Sequence, residues 1–323
     1  MVMDKRGRPL RDLRISLTDR CNMRCRYCMP REHFSEEYEF LAKNEILSYE
    51  EIAFIVKSLI PIGLEKVRLT GGEPLLRRDI HNLISQIPRE LDIALTTNGL
   101  LLGNHADLLA KSGLKRVTVS LDAIDEYTFQ KMGDTKESPS KVLDGIESAI
   151  KAGLKVKVNS VIRKGVNDHS VEEISDYFAN SEVIVRFIEF MDVGETNSWA
   201  LDEVLTGDEM REILQPLTRM EENYSGEVAN RYMRGNQELG FIESVSKPFC
   251  GSCNRARLSA DGKIFTCLFA NQGNDLKSIL RFGANETQIR DAVTKIWESR
   301  DDAYSEQRGK KEYTKVEMSY IGG

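Results

Sequence analysis

The sequence lacks long apolar runs. Its first thirty residues contain no apolar stretch of the length that a signal peptide needs, and nowhere do apolar residues approach the ~18 in succession that span a membrane. We therefore expect a soluble, cytoplasmic protein without a membrane partner. A basic excess is also absent, since 45 Lys and Arg against 51 Asp and Glu give a formal net charge of −6. Such a chain has no overall field that attracts nucleic acid, so local arginines and lysines must hold any polyanionic ligand.

Cysteine is scarce, and each group of cysteines lacks a fourth member. The chain has 6 cysteines and 4 histidines. The cysteines form two groups, which are Cys21, Cys25 and Cys28 near the start and Cys250, Cys253 and Cys267 near the end. Thiols stay reduced in the cytosol, so clustered cysteines indicate a metal site. A structural zinc ion needs four ligands, and His33 is a candidate fourth ligand for the first group.

Short β-branched runs alternate with helical patterns between residues 10 and 190. The predicted strands are 13–17, 66–70, 92–98, 116–122, 155–162 and 182–190, and the predicted helices are 48–60, 78–87, 101–113, 138–153 and 169–180. Ser48 followed by Glu51 is typical of a capping box. Gly113 and Gly153 follow predicted helices as terminating residues. The five basic residues near the start are expected to form a solvated segment; they are Lys5, Arg6, Arg8, Arg11 and Arg14.

Six βα alternations predict an α/β fold with a parallel sheet. Six units are too few for a closed eightfold barrel, so we predict a partial (βα)6 TIM-type barrel over residues 1–190, with a doubly wound open sheet as the alternative. Residues 192–245 are predicted to be charged and loop-rich, and 275–312 helical. We expect residues 191–323 to form a C-terminal extension that covers the open side. Ligands should gather at the carboxyl ends of the strands.

The first cysteine group has the spacing CxxxCxxC and directly follows the first predicted strand. The three thiols could form one face of a short helix, but Met29-Pro30 interrupts the segment. An iron–sulfur cube takes four thiolates, so three leave one iron open. The motif, with Tyr27 before its last cysteine, resembles that of the radical S-adenosylmethionine (SAM) superfamily. The resemblance implies a [4Fe-4S] cluster that binds SAM, and SAM contacts from Tyr27, Gly72 of TGGEP, Ser120 and Met191.

The second cysteine group is CxxC followed after thirteen residues by Cys267. A zinc site with a borrowed ligand stays open, but a second cube with an open iron fits better. The segments LRISLTDRCNMRCRYCMP, VRLTGGEPLLRRDI and PFCGSCNRARLSADGKIFTCLF, with the terminal IGG, together resemble the GTP 3′,8-cyclases of molybdenum cofactor biosynthesis. The resemblance implies a second [4Fe-4S] cluster whose open iron meets the guanine of GTP.

The same resemblance implies the reaction and the residues that serve it. A 5′-deoxyadenosyl radical removes the C3′ hydrogen of GTP, and the C3′ radical attacks C8. Reduction of the resulting aminyl radical gives 3′,8-cyclo-7,8-dihydro-GTP. Arg257 and the tail residues Gly322 and Gly323 are the implied catalytic residues. The implied GTP contacts are Arg14, Arg68, Thr96, Lys157, Arg186, Arg255, Ala256 and Arg257. Relatives imply a homodimer, a reductant such as flavodoxin or ferredoxin, and cyclic pyranopterin monophosphate synthase as the next enzyme.

Two other functions remain open from the sequence. A radical SAM enzyme that modifies peptides would also carry an auxiliary cluster, although such enzymes usually have more cysteines in the tail region. A zinc-stabilised binding module without catalysis is the alternative from a different class. Iron and sulfide analysis of oxygen-free protein separates iron–sulfur enzymes from a zinc module.

Overall fold

The architecture is seen in a computed structural model that describes residues 1–224, 226–309 and 314–323. Its first half contains six parallel strands, and all six overlap the predicted ones: β1 Asp12–Ser16, β2 Lys66–Thr70, β3 Asp92–Thr97, β4 Arg116–Ser120, β5 Lys155–Ile162 and β6 Ile184–Glu189. Neighbouring strands in space are neighbours in sequence, in the order β1-β2-β3-β4-β5-β6. A doubly wound sheet reverses its strand order at a switch point. The sequential order therefore excludes that alternative and confirms the partial barrel.

Helices connect these strands. They are α1 Tyr49–Leu59, α2 Ile80–Gln86, α3 Ala106–Lys111, α4 Glu126–Gly133, α5 Pro139–Lys151 and α6 Ser170–Phe178. The predicted capping box is present, because the Ser48 hydroxyl accepts from the Glu51 amide while the Glu51 carboxylate accepts from the Ser48 amide. The predicted helix 101–113 begins late, since residues 102–104 form a 3₁₀ turn before α3. Helix α4, capped by Asp125, was not predicted.

The C-terminal half extends the same sheet at both edges. Its strands are β7 Thr218–Arg219, β8 Asn230–Arg234, β9 Gln237–Ile242, β10 Arg255–Leu258, β11 Lys263–Phe265 and β12 Asn274–Asp275. Strand β9 pairs with β6 and β10 pairs with β1, both in parallel, and the remaining strands add antiparallel pairs. An exposed edge strand leaves unpaired backbone groups. The extension therefore satisfies both edges of the partial barrel, which the sequence pattern did not predict.

The C-terminal half also contributes helices around the sheet. They are α7 Gly207–Ile213, α8 Lys277–Arg281, α9 Glu286–Ser299, α10 Tyr304–Gln307 and α11 Met318–Ile321. The predicted helical region 275–312 is thus helical in α8, α9 and α10, while its residues 310–312 lie outside the described residues. In the part of the chain that the structure describes, no helix is long and apolar enough to cross a membrane.

Alternation along the strands separates the core from the interior of the barrel. Leu13 and Ile15 of β1 are fully buried in the main apolar core, whereas Arg14 between them faces a cavity. The expectation of a solvated basic start is wrong for Arg14 and for Arg8. Arg8 is 2% exposed and pairs with the buried carboxylate of Asp4 at 2.5 Å. A buried charge needs such a partner to offset its lost hydration.

Candidate functional site

A cavity of about 310 Å³ lies inside the partial barrel, within the range of ligand-binding cavities. Both cysteine groups line it, and so does Gly323 at the end of the chain. Side chains from β1, β2, β3, β4, β5, β6 and β10 complete its wall. Two groups that are more than two hundred residues apart in sequence therefore share one space. The first group follows β1 at the carboxyl ends of the parallel strands, as predicted, but Cys250 and Cys253 precede β10 and lie at the amino ends, because β10 runs parallel to β1.

The first cysteine group lies in the loop after β1. Its turn is closed by hydrogen bonds from the amides of Cys28 and Met29 to the Cys25 carbonyl, at 2.9 and 2.8 Å. Arg24 fixes the loop from outside, because its guanidinium donates to the carbonyls of Cys21 at 2.8 Å and Phe34 at 2.9 Å. The Arg24 amide in turn donates to the carbonyl of Gly133 in α4. The loop thus presents its thiols from an extensively hydrogen-bonded backbone.

The chemistry of these thiols favours a bound cation. Burial, then the nearby carboxylate of Glu73, raises the pKa of Cys21 to about 11. Burial and then Cys21 raise the pKa of both Cys25 and Cys28. Three crowded thiols that resist ionisation cannot be stable thiolates alone, whereas a metal centre supplies the compensating positive charge. The donor set therefore fits an iron–sulfur cluster.

The positions of the sulfurs favour a cluster over a single metal ion. Among the described residues, which include all the cysteines, neither group has its three sulfurs all within 4.8 Å of one another. Sulfurs that share one tetrahedral zinc ion would lie roughly 3.8 Å apart, given Zn–S bonds of about 2.3 Å. The wider spacing suits a larger cluster better than a single zinc ion.

Glycines in TGGEP allow the cysteine loop to pack against the end of β2. A Cβ on Gly72 would lie 2.2 Å from the Arg20 carbonyl oxygen, and one on Gly71 would lie 2.5 Å from that of Thr18. The Gly72 amide donates to Thr18 at 2.7 Å. Glycine is therefore required here by backbone packing. Gly72 also lines the cavity, as the SAM contact predicted for it requires.

The other predicted SAM residues line the same cavity. Tyr27, Ser120 and Met191 all line it. The Tyr27 hydroxyl donates to Oδ2 of Asp122 at 2.8 Å, and Oδ1 of the same carboxylate accepts from the Val161 amide at 2.9 Å. Burial raises the pKa of Asp122 to about 6 despite these bonds. Asp122 thereby fixes Tyr27 against β4 and β5.

The second cysteine group surrounds β10 and β11. Cys250 begins a 3₁₀ turn, Cys253 follows that turn, and Cys267 follows β11. Burial opposes ionisation of Cys253, but Arg255 and Arg300 outweigh it and lower the pKa to about 6. Burial and then Asp302 raise the pKa of Cys267 to about 12. This end of the cavity therefore combines thiols with fixed positive charge.

Three arginines form a row across adjacent strands. Arg14 of β1 is in register with Arg68 of β2 on one side and with Arg257 of β10 on the other. Adjacent strands are about 4.8 Å apart, and like charges in register repel. Burial, followed by Arg257 and Arg68, lowers the pKa of Arg14. Because guanidinium groups stay protonated, the row is a concentrated positive charge in an acidic protein.

Thr96 and Arg186, two further predicted residues, are linked to Arg68 by hydrogen bonds that involve threonine hydroxyls. Nη1 of Arg68 donates to Oγ1 of Thr96 and Thr118, both at 3.3 Å. Nη2 of Arg186 donates to the same Thr118 hydroxyl at 3.4 Å. Gly240 in the neighbouring strand leaves space for Arg186, since a Cβ there would lie 2.9 Å from its Cγ. The structure thus brings together these predicted residues from β2, β3 and β6.

Several of these guanidinium groups have buried atoms without partners. Among the described residues, Nε of Arg14, Arg68 and Arg186 and Nη1 of Arg257 are buried and donate to no hydrogen-bond acceptor of the protein. Buried N–H groups of native proteins are nearly always satisfied. Four unsatisfied cationic donors around one cavity therefore indicate an anionic ligand with several oxygen acceptors.

Three predicted residues do not line the cavity. Lys157 on β5 is half-buried, and burial, then Arg186 and Arg116, lowers its pKa to about 8. Ala256 is fully buried between Arg255 and Arg257 and packs in the core. Gly322 lies one residue outside, with a φ of 78°. A backbone contact remains available to Ala256, because its side chain points away.

The terminal glycines reach the cavity from α11. The Tyr320 hydroxyl donates to Oδ1 of Asp261 at 2.6 Å, and Ile321 is fully buried. Oγ1 of Thr70 then donates to the carbonyl of Gly323 at 3.4 Å. A Cβ on Gly322 would lie only 2.5 Å from Cγ2 of Thr70. The narrow passage at the end of β2 thus accommodates a residue without a side chain.

Sequence reasoning missed other residues that line the cavity, among them Asp12, Asp122, Asn159, Arg300 and Asp302. Side chains two residues apart in a strand lie on the same face, so Asp12 shares a face with Arg14 and Asn159 shares a face with Lys157. This alternation could have predicted Asp12 and Asn159 from the sequence. No local pattern identifies Arg300 or Asp302, because they follow a helix far from the barrel in sequence.

Comparison with known proteins places this site in a defined class. Residues 15–178 match the radical SAM superfamily, and residues 183–306 match the family Molybdenum Cofactor Synthesis C. The fold and the site are therefore those of a radical SAM enzyme. The chain is 45% identical to the GTP 3′,8-cyclase of Staphylococcus epidermidis strain ATCC 35984, over 100% of this chain and 99% of that protein. The GTP 3′,8-cyclase of Staphylococcus aureus strain JH9 gives the same identity and coverage. The chain belongs to the GTP 3′,8-cyclase family.

Solved structures share the fold at low sequence identity. Streptococcus suis SuiB bound to S-adenosylmethionine aligns with a TM-score of 0.63 and 16% identity, covering 94% of this chain and 68% of that one. SuiB bound to its precursor peptide SuiA aligns with a TM-score of 0.65, 94% and 67% coverage, and 16% identity. Membership of the family implies SAM and [4Fe-4S] clusters as cofactors, and cysteines for two clusters are present.

Proposed function

We propose that this chain converts GTP to (8S)-3′,8-cyclo-7,8-dihydroguanosine 5′-triphosphate, an early step of molybdenum cofactor biosynthesis. The observation that carries the proposal is the row Arg257–Arg14–Arg68 with its unsatisfied buried donors. A triphosphate supplies many anionic oxygens, and guanidinium forks bind such oxygens in pairs. The row lies between the two cysteine groups, so a nucleotide bound there is within reach of both ends of the cavity.

The first cysteine group would hold the cluster that binds SAM. Cys21, Cys25 and Cys28 are the proposed ligands, and Tyr27, Gly72, Ser120 and Met191 the proposed SAM contacts. When bound, the cluster and SAM supply the one-electron chemistry that removes the C3′ hydrogen of GTP and lets C3′ bond to C8. The chain's own contribution is placement. Asp122 holds Tyr27 by its hydroxyl, and the buried Glu73 carboxylate accepts from the Asn98 amide and the Thr97 hydroxyl, which fixes the ends of β2 and β3.

The second cysteine group and the arginines would hold GTP itself. Cys250, Cys253 and Cys267 are the proposed ligands of the second cluster, with guanine at its open position. Arg255 and Arg257 project from β10 beside these cysteines, and the buried Ala256 contributes backbone alone. Arg14, Arg68 and Arg186 then face the phosphates, with Thr96 supporting Arg68 and Lys157 behind Arg186. Both reacting atoms belong to one ligand, so fixing its conformation supplies much of the rate.

The tail would close the cavity beside the reacting atoms. Gly323 lines the cavity, and Gly322 occupies a passage against Thr70 that excludes a methyl group. Chain and ligand together would then exclude water from the substrate radical. Arg257, next to Arg14 on the neighbouring strand β10, is the proposed catalytic side chain on the side of the second cysteine group.

Partners of the reaction follow from the same proposal. A one-electron reductant such as flavodoxin or ferredoxin is needed to start each turnover, and cyclic pyranopterin monophosphate synthase would consume the product. We infer a cytoplasmic homodimer, which sedimentation of the reconstituted protein tests directly.

An anaerobic assay tests the proposed function. Purified protein should contain about eight irons per chain, as expected for two cubes. Incubation with GTP, SAM and a reductant should yield the cyclised nucleotide together with 5′-deoxyadenosine, both identified by mass spectrometry. Formation of 5′-deoxyadenosine with all of the GTP unchanged would point to a different substrate. A content of about four irons per chain would contradict the proposal that the protein binds two clusters.

A further inference from the structure

A buried arginine that lines the cavity, Arg300, contacts Cys253 of the second group at two atoms. Nη1 of Arg300 donates to the Cys253 carbonyl at 2.8 Å, and Nη2 donates to the Cys253 sulfur at 3.3 Å. Arg300 directly follows α9 and is 4% exposed. The guanidinium is therefore shielded from water where it contacts the sulfur, and an electrostatic interaction is stronger there than in water.

The surroundings of Arg300 fix its orientation. Its Nε donates to Oδ1 of Asp302 at 3.0 Å, and its guanidinium carbon lies 4.5 Å from the ring centroid of Trp297. The Trp297 indole is itself held, because its Nε1 donates to the Arg8 carbonyl at 2.9 Å. Arg8 in turn donates to the Cys250 carbonyl at 2.9 Å. Buried arginines from opposite ends of the chain thus hold both cysteines of CGSC.

The first cysteine group is held differently. The donors to the Cys21 sulfur are neutral, namely the Met23 amide at 3.4 Å and the Asn98 side-chain amide at 3.7 Å. The arginine of that loop, Arg24, donates to carbonyl oxygens. The Cys253 sulfur of the second group therefore has a cationic donor, whereas the Cys21 sulfur of the first group has neutral ones. The positive charge of that donor should affect the charge state of whatever the sulfur binds.

We propose that Arg300 sets the reduction potential of the cluster bound by Cys250, Cys253 and Cys267, through its charge and its hydrogen bond to the Cys253 sulfur. Reduction adds one negative charge to a cluster, and a fixed cation at a ligand sulfur stabilises that charge. Hydrogen bonds to sulfur and net local charge are the protein's means of adjusting such potentials. Arg300 is a positioning residue, because it acts through Cys253. The inference rests on the proposed function, which places a cluster at these cysteines.

Asp302 gives the inference a second, opposite prediction. Its carboxylate accepts from Arg300 at 3.0 Å and lies 3.7 Å from Nη2 of Arg8, and Asp302 lines the cavity. This negative charge opposes the effect of Arg300 on the cluster. Asp302→Asn keeps an oxygen acceptor for Arg300 while removing the charge, so it should move the potential upward.

The test is a redox titration followed by electron paramagnetic resonance. The background carries Cys21→Ser, Cys25→Ser and Cys28→Ser, so that only the second cluster is titrated. At a given potential, Arg300→Gln should reduce the ratio of reduced to oxidised cluster at least tenfold, which is a shift of about −59 mV for a one-electron couple. Arg300→Lys, which keeps the charge, should restore most of the ratio. The matched control is Arg290→Gln in α9, the helix that Arg300 follows; the Arg290 side chain bonds only Thr287 among the hydrogen bonds described for it.

The outcomes separate this inference from the proposed function. An unchanged potential in Arg300→Gln, at an iron content equal to that of the control, would overturn the inference and leave the cluster in place. If Arg300→Gln fails to assemble the cluster, Asp302→Asn decides, and an unchanged potential in that variant would overturn the inference. A background protein with Arg300 intact and without iron would refute the proposed cluster ligands themselves.

Discussion

Replacing Arg14 with methionine removes the central charge from the row Arg257–Arg14–Arg68 while keeping most of the side-chain volume. Guanidinium groups on adjacent strands can separate from about 4.8 Å to about 8 Å, where two charges at an effective dielectric constant of about 20 repel by ~2 kcal/mol. Two neighbours would double this figure, but water and counter-ions in the cavity reduce it. We therefore expect Arg14→Met to raise the free energy of unfolding of the ligand-free protein by about 1 kcal/mol.

The same substitution should weaken GTP binding. Loss of one charge-assisted hydrogen bond to phosphate costs about 1.5–3 kcal/mol, so the dissociation constant should rise roughly tenfold or more. Calorimetric titration of reconstituted, SAM-free protein measures the affinity, and chemical denaturation at low and high salt measures the stability.

The control for this prediction is Arg89→Met, at an exposed arginine outside the cavity. It should change neither quantity by much, and added salt should shrink the stability gain of Arg14→Met alone. A destabilised Arg14→Met protein that binds GTP with unaltered affinity would refute the view that the row is a strained anion site.

Three other substitutions test separate parts of the site. Gly322→Ala should lower turnover at least tenfold, because the added Cβ would lie 2.5 Å from Cγ2 of Thr70. The control is Gly165→Ala, at a similar φ of 74° but with open space around it, which should leave turnover unchanged. Equal effects of the two substitutions on turnover would contradict a steric clash at Gly322. GTP affinity should fall as pH rises through about 8, the pKa of Lys157, because the side chain then loses its positive charge. Lys157→Arg should remove this pH dependence. Identical pH profiles of GTP affinity in the wild-type and Lys157→Arg proteins would show that Lys157 does not contact GTP. Glu189→Ala should lower the free energy of unfolding by about 3 kcal/mol or more, since it strands buried amide donors, and the exposed Glu182→Ala should not.

Glu189 illustrates how the C-terminal half is joined to the barrel. Its fully buried carboxylate accepts from the amides of Gly207, Val245 and Ser246, in segments that follow β6. These bonds attach the start of α7 and the segment after β9 to the end of β6. The Glu189 carboxylate thus fixes the region that leads to the second cysteine group to the barrel. No local sequence pattern identifies Glu189 as such a residue.

The six barrel strands could be predicted from sequence because each is a short β-branched run between helical segments. The strand KVRLT, for example, ends where β2 ends at Thr70. Helix α4 escaped prediction because its apolar residues are few and Tyr127 is exposed. The edge pairings of β9 and β10 also escaped it, since pairing between distant segments depends on tertiary contacts that local pattern does not encode.

The cysteine groups could be predicted because their spacing carries the chemistry directly. The arginine row could not be, because it depends on the register of three strands, and Arg257 is far from Arg14 in sequence. The resemblance to a known family supplied these positions without their physical reason. That reason is the repulsion between like charges in register, together with donors left for a ligand to satisfy.

The most direct test of the central claim uses GTP that carries deuterium at C3′. If the cavity holds the nucleotide between the two cysteine groups as proposed, deuterium should appear in the 5′-deoxyadenosine released by the reconstituted protein, together with the cyclised product. Cleavage of SAM that leaves all of the deuterium on intact GTP would contradict the account.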